Sequence, residues 1–185
     1  MARALRCIEF LNSEESKTIS EFILESESRV KALGPDMFKG TSEDSLSGRH
    51  VWFNYLNDEP GKILIPKLRK LFGTCVVQCW ANTFRKGEGI KPHSHKSPDE
   101  VDYPDFLCAN IFLSGPNSGT VYPKYGTVIP NIGALTLFPN DCVHYVKPNE
   151  TDEVRVSMAM DIYLSPRDRA LSDQEPHRFV LVSPQ

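Results

Sequence analysis

The sequence lacks several features that would assign it to a specialised class of protein. No apolar run approaches the roughly 20 residues that a membrane-spanning helix needs. The first residues contain Arg3 and Arg6 but neither a long apolar core nor a small-residue cleavage site, so no secretion signal is expected. Internal repeats, low-complexity segments and an interdomain linker are missing too. These absences favour a single globular domain over residues 1–185 with no membrane partner.

Charge of one sign is not in excess either. The chain has 21 basic and 24 acidic side chains and a formal net charge of -3, which gives no general attraction to nucleic acid. Disulfide-forming patterns are missing, because the five cysteines are an odd number, widely spread, and contain no Cys-x-x-Cys pair. They are Cys7, Cys75, Cys79, Cys108 and Cys142. We therefore expect reduced, mostly buried thiols and a cytoplasmic protein.

The N-terminal region, residues 1–73, combines strand-like and helical patterns. Asn12 or Ser13 offers an N-cap for the first helix. The elements predicted here are a strand over 4–11, a helix over 13–27, a loop over 31–48, a strand over 50–56 and a helix over 62–72. The C-terminal tail, residues 164–185, is polar and rich in proline, and its pattern leaves both a packed and a mobile arrangement open.

The middle of the chain, residues 74–163, contains short strand-like runs separated by glycine and proline. The predicted strands cover 74–84, 88–95, 104–113, 119–122, 127–130, 134–138, 142–146 and 154–163. Eight such runs without an intervening helix indicate a mainly β protein with a jelly-roll or cupin-like barrel. The two N-terminal helices are expected to cover one outer face of a sheet.

The last of these strands has two chemically different faces. Alternate positions carry an apolar set, Val154, Val156, Met158, Met160 and Ile162. The positions between them carry Arg155, Ser157, Ala159 and Asp161. Because strand side chains alternate between faces, the pattern predicts an apolar face under the helices and a polar face inside the barrel.

Two histidines separated by one residue lie in the strand predicted over 88–95. In an extended segment the side chains of His93 and His95 point the same way, so both rings can converge on one ion. A third histidine, His144, follows the turn at Pro139, and Arg155 comes eleven residues later. We predict a metal site formed by these three histidines, with Arg155 beside it as an anchor for an anion.

The order of these residues resembles the non-haem iron(II), 2-oxoglutarate-dependent dioxygenase superfamily, in particular its prolyl-hydroxylase-like and small phage or bacterial members. The resemblance is carried by His-Ser-His at 93–95, Gly133, Pro139, His144 and Arg-Val-Ser at 155–157. It implies a double-stranded β-helix that binds iron(II), 2-oxoglutarate as cosubstrate and dioxygen. It also implies that His93 and His144 bind the iron and that Arg155 and Ser157 bind the cosubstrate's carboxylate.

The activity implied by the resemblance is hydroxylation of a C–H bond. The substrate class stays open between a prolyl or other peptidyl side chain, an amino acid and a small metabolite. Asn110, the only polar residue in its apolar strand, and Asn82 are further candidates for binding the cosubstrate. The loop over 115–132 is predicted to form the substrate-facing lip. Tyr103, Tyr122 and Tyr125 can line the entrance, although aromatic residues near loops more often serve packing.

The chain departs from the family pattern at one ligand position. Where the family has a carboxylate, this sequence has His95. An all-histidine site is favoured, because the spacing of His93 and His95 places both rings on one face without further folding. Two alternatives remain: Asp99 or Glu100 reaches the metal with His95 behind it, or the family's usual chemistry has been lost.

A second resemblance gives a rival function. Gly87, His93, His95, Glu100 and His144 follow the spacing of the two cupin motifs, which implies a metal-binding thiol dioxygenase, isomerase or small-molecule binder that does not use 2-oxoglutarate. A cupin has no need of the Arg-Val-Ser sequence, and a glycine expected after the glutamate is absent. A third possibility, a barrel that serves only for protein contacts, is not favoured by the clustered ligands.

Overall fold

The computed structural model describes residues 5–38, 40–41, 45–96 and 106–183, and these form ten strands and three α-helices. The elements are β1 (Arg6–Glu9), α1 (Ser13–Lys31), α2 (Glu59–Phe72), β2 (Cys75–Phe84), β3 (Ile90–His93), β4 (Leu107–Ser114), β5 (Thr120–Tyr122), β6 (Gly126–Val128), β7 (Ala134–Pro139), β8 (His144–Val146), β9 (Arg155–Tyr163), α3 (Arg169–Gln174) and β10 (Val180–Val182). Short 3₁₀ helices span Ser47–Arg49, Tyr55–Asn57 and Pro166–Asp168.

The strands form two antiparallel sheets. The six-stranded sheet has the order β1-β7-β4-β9-β2-β10, and the four-stranded sheet has the order β3-β8-β5-β6. Aromatic side chains of both sheets meet between them, as the rings of Tyr122 and Phe138 do at 5.2 Å. Every strand predicted between residues 74 and 163 is present, and the predicted double-stranded β-helix is confirmed.

The two faces of β9 have the environments that the alternation predicts. One face enters the main apolar core, where it packs against α1 and α2 through Val156, Met158, Met160 and Ile162. The other face carries Arg155, Ser157, Ala159 and Asp161 toward the four-stranded sheet, and all four are buried. The six-stranded sheet thus separates an apolar core on its helical side from a polar interior on its other side.

Both N-terminal helices begin at capping side chains. Asn12 accepts a hydrogen bond from the Glu15 N–H at 2.8 Å, and the Glu15 carboxylate accepts one from the Asn12 N–H at 2.9 Å, so α1 starts with a capping box. Asp58 caps α2 by accepting a hydrogen bond from the Glu59 N–H, so the helix begins at Glu59, three residues before the predicted start. None of the helices in the described ranges combines the length and the apolarity that crossing a bilayer requires.

The strand predicted over 50–56 is wrong. This segment continues from one 3₁₀ turn into another, which spans Tyr55–Asn57. The Asn54 side chain accepts from the Leu56 N–H, and its amide donates to the carbonyl groups of Val77 and Arg178, each at 2.8 Å. These contacts with β2 and with the C-terminal tail hold the segment as a turn, and they join residues that are far apart in sequence.

The C-terminal tail packs against the sheet. After α3 the chain turns, and β10 pairs antiparallel with the start of β2, with Val180 opposite Val77. Val182 is fully buried in the main core. Of the two arrangements that the sequence left open, the structure has the packed one, in which β10 forms an edge of the large sheet beside β2.

Gly133 is required by its backbone geometry. Its φ is 79°, and a β-carbon at this position would collide with the Leu11 carbonyl oxygen. Gly87 has a similar φ of 84°, but a β-carbon there would meet no other atom within 4 Å.

We expect Gly87→Ala to lower the free energy of unfolding by about 1–2 kcal/mol, and Gly133→Ala to lower it by more. Urea denaturation of the two variants measures the difference, and equal losses would contradict a role for the close contact with Leu11.

Candidate active site

The three predicted histidines lie together at the mouth of the barrel. His93 ends β3 and pairs directly with His144 at the start of β8, which places their ring centroids 4.3 Å apart. His95 lies two residues further along, with its ring centroid 5.6 Å from that of His93 and 5.2 Å from that of His144. One ring nitrogen from each residue lies within 4.8 Å of the others, a spacing that can hold a metal ion.

Backbone carbonyl groups orient two of these rings. The Nδ1 of His93 lies 2.8 Å from the Lys91 oxygen, and the Nδ1 of His144 lies 3.0 Å from the Cys142 oxygen. A carbonyl oxygen only accepts hydrogen bonds, so both Nδ1 atoms carry the proton and both Nε2 atoms keep a lone pair. Each ring therefore presents Nε2 as its metal-binding atom.

Burial keeps both rings uncharged. It lowers the pKa of His93 to about 4 and lowers the pKa of His144 well below its ordinary value, with the neighbouring imidazoles adding to the effect at His144. At neutral pH both imidazoles are therefore neutral, which is the form that binds a metal.

His95 is held by the carboxylate of Asp161. The sequence predicted that Asp161 lies on the inner face of β9 but not that it contacts His95. The Nδ1 of His95 lies 2.6 Å from Asp161 Oδ1, and both side chains are about nine-tenths buried. The Cys108 thiol also donates to Asp161, at 3.4 Å, and burial raises the pKa of this thiol so that it stays protonated. Asp161 thus fixes the His95 ring with Nδ1 protonated and leaves Nε2 free on the side of the other two histidines.

Arg155 lies deeper in the barrel, at the start of β9. It is 1% exposed, donates to Ser157 Oγ at 3.0 Å, and lies between the rings of Phe84 and Phe112. Its Nε has no hydrogen-bond partner, and no carboxylate of the described residues pairs with it. Burial lowers its pKa to about 10, so the guanidinium is still charged at neutral pH. A buried cation without a counter-ion is costly, and this one marks a place for an anion.

Tyr122, for which the sequence left a place at the entrance and a packing role open, lies inside the barrel. It is fully buried, its ring stacks on His144 with centroids 5.8 Å apart, and its hydroxyl has no hydrogen-bond partner among the described residues. Burial raises the pKa of this hydroxyl, while the nearby charge of Arg155 acts in the opposite direction. Tyr122 therefore adds a second buried donor between the histidines and Arg155. Only the short spacing in Thr-Val-Tyr, which puts Thr120 and Tyr122 on one face, could have indicated this.

The remaining predicted residues are placed as follows. Asn82 lies opposite Ser157 in the sheet and accepts a hydrogen bond from Ser47 Oγ. Asn110 lies on the inner face of β4, half-buried, between Ala159 and Thr136 of the neighbouring strands. Asp99 and Glu100, the rivals of His95 as metal ligand, lie outside the described residues.

A cavity of about 210 Å³ adjoins the histidines on the side of β2. His93, His95 and Asp161 line one end, and the rings of Trp80 and Phe38 line the walls. The sequence did not indicate that Trp80 or Phe38 belongs to the site. The predicted lip over 115–132 contributes no residue to the lining of this cavity.

Residues 105–161 match a protein-family model described as "Putative 2OG-Fe(II) oxygenase". No curated protein matches the chain. Among solved structures, a prolyl hydroxylase from Trichoplax adhaerens, in complex with a hypoxia inducible factor oxygen degradation domain peptide fragment, is similar at 16% identity and a TM-score of 0.64, with 92% of this chain and 87% of that chain covered.

Two further solved structures were determined with bound cosubstrate. The viral collagen prolyl hydroxylase of Paramecium Bursaria Chlorella virus-1, in a 2-oxoglutarate complex, has 15% identity and a TM-score of 0.62 over 87% of this chain and 96% of that chain. HygX from Streptomyces hygroscopicus, with nickel and 2-oxoglutarate bound, has 12% identity and a TM-score of 0.59 over 88% of this chain and 83% of that chain. At these identities the likeness concerns the fold.

Proposed function

We propose that this chain is a non-haem iron(II), 2-oxoglutarate-dependent oxygenase that hydroxylates a C–H bond of a small-molecule or peptidyl substrate. Its fold and the match over residues 105–161 support this proposal. One observation carries the proposal: three imidazoles converge at the barrel mouth, and a buried Arg155, which pairs with no carboxylate of the described residues, lies on the same inner face. The first group suits a divalent metal and the second suits a carboxylate.

The donor set fits iron(II). The proposed ligands are the Nε2 atoms of His93, His95 and His144, and imidazole nitrogen is a common ligand for iron in proteins. The more frequent set of two histidines and one carboxylate brings one negative charge to the metal. Here His95 brings none, but the carboxylate of Asp161 lies one hydrogen bond behind the ring and supplies that charge at a distance.

The deeper pocket fits one end of 2-oxoglutarate. Arg155 offers its unpartnered Nε together with the other guanidinium N–H groups, and Tyr122 offers a hydroxyl with no partner. A guanidinium matches the planar fork of a carboxylate, and burial strengthens such a pair because water does not compete for it. Ser157 holds the guanidinium in place from the same strand, and the rings of Phe84 and Phe112 exclude water.

With iron(II), 2-oxoglutarate and dioxygen bound, the site supplies an oxidation in which one oxygen atom enters the substrate C–H bond and the other enters succinate as carbon dioxide leaves. The residues of this chain have the complementary tasks. The histidines hold the metal on one side, Arg155 and Tyr122 orient the cosubstrate, and the aromatic walls of the neighbouring cavity exclude water from the place where the substrate binds.

Ligand-dependent stabilisation tests this function. At about 100 times its dissociation constant, 2-oxoglutarate added with manganese(II) is expected to stabilise the protein by about 2.7 kcal/mol, which corresponds to a rise in melting temperature of about 5–10 °C for a chain of this size. Differential scanning fluorimetry with metal alone, 2-oxoglutarate alone and both together measures it.

The same experiment discriminates the rival function. A shift with metal alone and no further shift with 2-oxoglutarate would overturn the oxygenase proposal and favour a cupin-type metalloprotein. Succinate, the product formed from 2-oxoglutarate, keeps the distal carboxylate and is the control for the carboxylate pocket. It is expected to give a smaller shift than 2-oxoglutarate because it lacks the oxo acid end.

A further inference from the structure

The cavity beside the histidines has a built shape and composition. The ring of Trp80 lies between two imidazoles, 5.5 Å from the ring of His95 and 5.4 Å from that of His50. Opposite, the ring of Phe38 lies 5.1 Å from that of His93. A molecule in this space is therefore flanked by flat apolar surfaces and lies directly against two of the three proposed metal ligands.

Most polar groups that line the cavity already have partners within the protein. The Gln78 amide donates to the His50 carbonyl at 2.8 Å, and His50 Nδ1 donates to the Ser47 carbonyl at 3.0 Å. Burial lowers the pKa of His50, so this ring is neutral at neutral pH. Asp161, the one acidic residue of the lining in the described ranges, is hydrogen-bonded to His95.

Among the lining residues that the structure describes, Arg178 is the only permanent cation, and its donors are hardly used. Its buried Nε has no partner, and within the described part of the chain its guanidinium makes one long hydrogen bond, of 3.4 Å, to Glu175. The backbone that carries it is firmly held, because Asn54 donates to its carbonyl at 2.8 Å and its N–H donates to Glu175 O at 2.9 Å. The guanidinium also packs on the ring of Phe179 at 4.8 Å. Arg178 is thus positioned by the protein, and its charge is met only by one long ion pair with the half-exposed Glu175.

We infer that the substrate is a small carboxylic acid, such as an amino acid, whose carboxylate binds Arg178 and whose body lies between Trp80 and Phe38. This inference rests on the proposed function and adds the substrate class. A volume of about 210 Å³ is below the range of about 300–1,000 Å³ that drug-sized ligands occupy. It corresponds to roughly seven water molecules at about 30 Å³ each, which suits a molecule the size of one amino acid. The carboxylate at Arg178 places the far end of such a molecule against His93 and His95.

The test compares acids with their neutral amides. The proteinogenic amino acids and their N-acetyl derivatives, each as the free acid and as the amide, are added to the iron(II)-loaded, 2-oxoglutarate-bound protein, and succinate formation is measured. We expect at least one acid to stimulate succinate formation, and its amide to need about 10- to 100-fold higher concentration, because a charge-assisted hydrogen bond is lost. Arg178→Gln is expected to remove this preference for the acid and Arg178→Lys to keep part of it. The control is Arg167→Gln, which changes an exposed arginine of the same tail and is expected to have no effect.

Stabilisation by 2-oxoglutarate separates this inference from the proposed function. It is expected to be equal in wild type, Arg178→Gln and Arg178→Lys, which also shows that the variants fold. If 2-oxoglutarate binds but no acid of the set stimulates turnover, or amides act as well as acids, the substrate inference is overturned and the oxygenase function stands. If Arg178→Gln loses 2-oxoglutarate binding, Arg178 holds the cosubstrate and the inference is wrong. Absence of any 2-oxoglutarate binding in wild type removes the proposed function itself.

Discussion

Arg155→Met is expected to lose the response to 2-oxoglutarate while the protein remains folded. Removing one partner of a buried, hydrogen-bonded charge pair weakens binding by about 2–5 kcal/mol, which is roughly 30-fold to several-thousand-fold in the dissociation constant. Methionine fills a similar space between Phe84 and Phe112 but offers no donor. Isothermal titration of the metal-loaded protein with 2-oxoglutarate measures the loss.

The melting temperature without ligand provides the internal control for Arg155→Met. Because Arg155 is buried without a counter-ion in the described structure, replacing it with an apolar side chain is expected to leave the stability unchanged or to raise it. Ser157→Ala gives a graded comparison, since it removes one hydrogen bond to the guanidinium and is expected to weaken binding by less than about tenfold. Full retention of 2-oxoglutarate affinity in Arg155→Met would show that the cosubstrate binds elsewhere.

Metal affinity is expected to depend on both His95 and the carboxylate behind it. Asp161→Ala leaves His95 Nδ1 without its acceptor, and the loss of such a partner weakens metal binding by about 10- to 100-fold. His95→Ala removes a ligand and is expected to have the larger effect. Asp161→Asn keeps an acceptor for the ring but removes the charge, so its effect is expected to lie between wild type and Asp161→Ala. Titration with cobalt(II), followed by its visible spectrum, reports affinity and ligand set together.

A matched control separates the role of Asp161 from the general effect of removing a buried acid. Glu27 is as buried as Asp161, both being 7% exposed, but it lies on the helical side of the six-stranded sheet and pairs with Arg85. Glu27→Gln is expected to lower stability without changing cobalt binding. The rival ligand is tested in the same series. If His95→Ala retains the metal and Glu100→Ala loses it, the all-histidine site is wrong.

The sequence predicted best what alternation and spacing determine. In β9 each second residue is apolar, which assigned Met158 and Met160 to the core, and the three histidines were needed to assign Arg155 to the interior. The convergence of His93 and His95 follows from the same geometry. The strand predicted over 50–56 was wrong because Trp52 and its aromatic neighbours are typical of strands, whereas the contacts of Asn54 with β2 and with the tail hold the segment as a turn.

The site features that the sequence did not predict depend on contacts between distant parts of the chain. The bond between His95 and Asp161 joins residues 66 positions apart, and no periodic pattern indicates it. Arg178 belongs to a tail whose composition suggests little structure, and only the pairing of β10 with β2 brings it to the cavity. Tyr122 could be placed on a strand, but whether its hydroxyl reaches solvent or the barrel interior is decided by the packing of the whole fold.

The alternation along β9 also restricts how this protein can change in length. A single inserted residue at the start of the strand would exchange its two faces. The methionine thioethers would then face the polar interior, and the guanidinium and the carboxylate would face the apolar core under the helices. Substitutions within either face leave the other undisturbed. Related chains are therefore expected to differ in β9 by replacement and almost never by insertion or deletion.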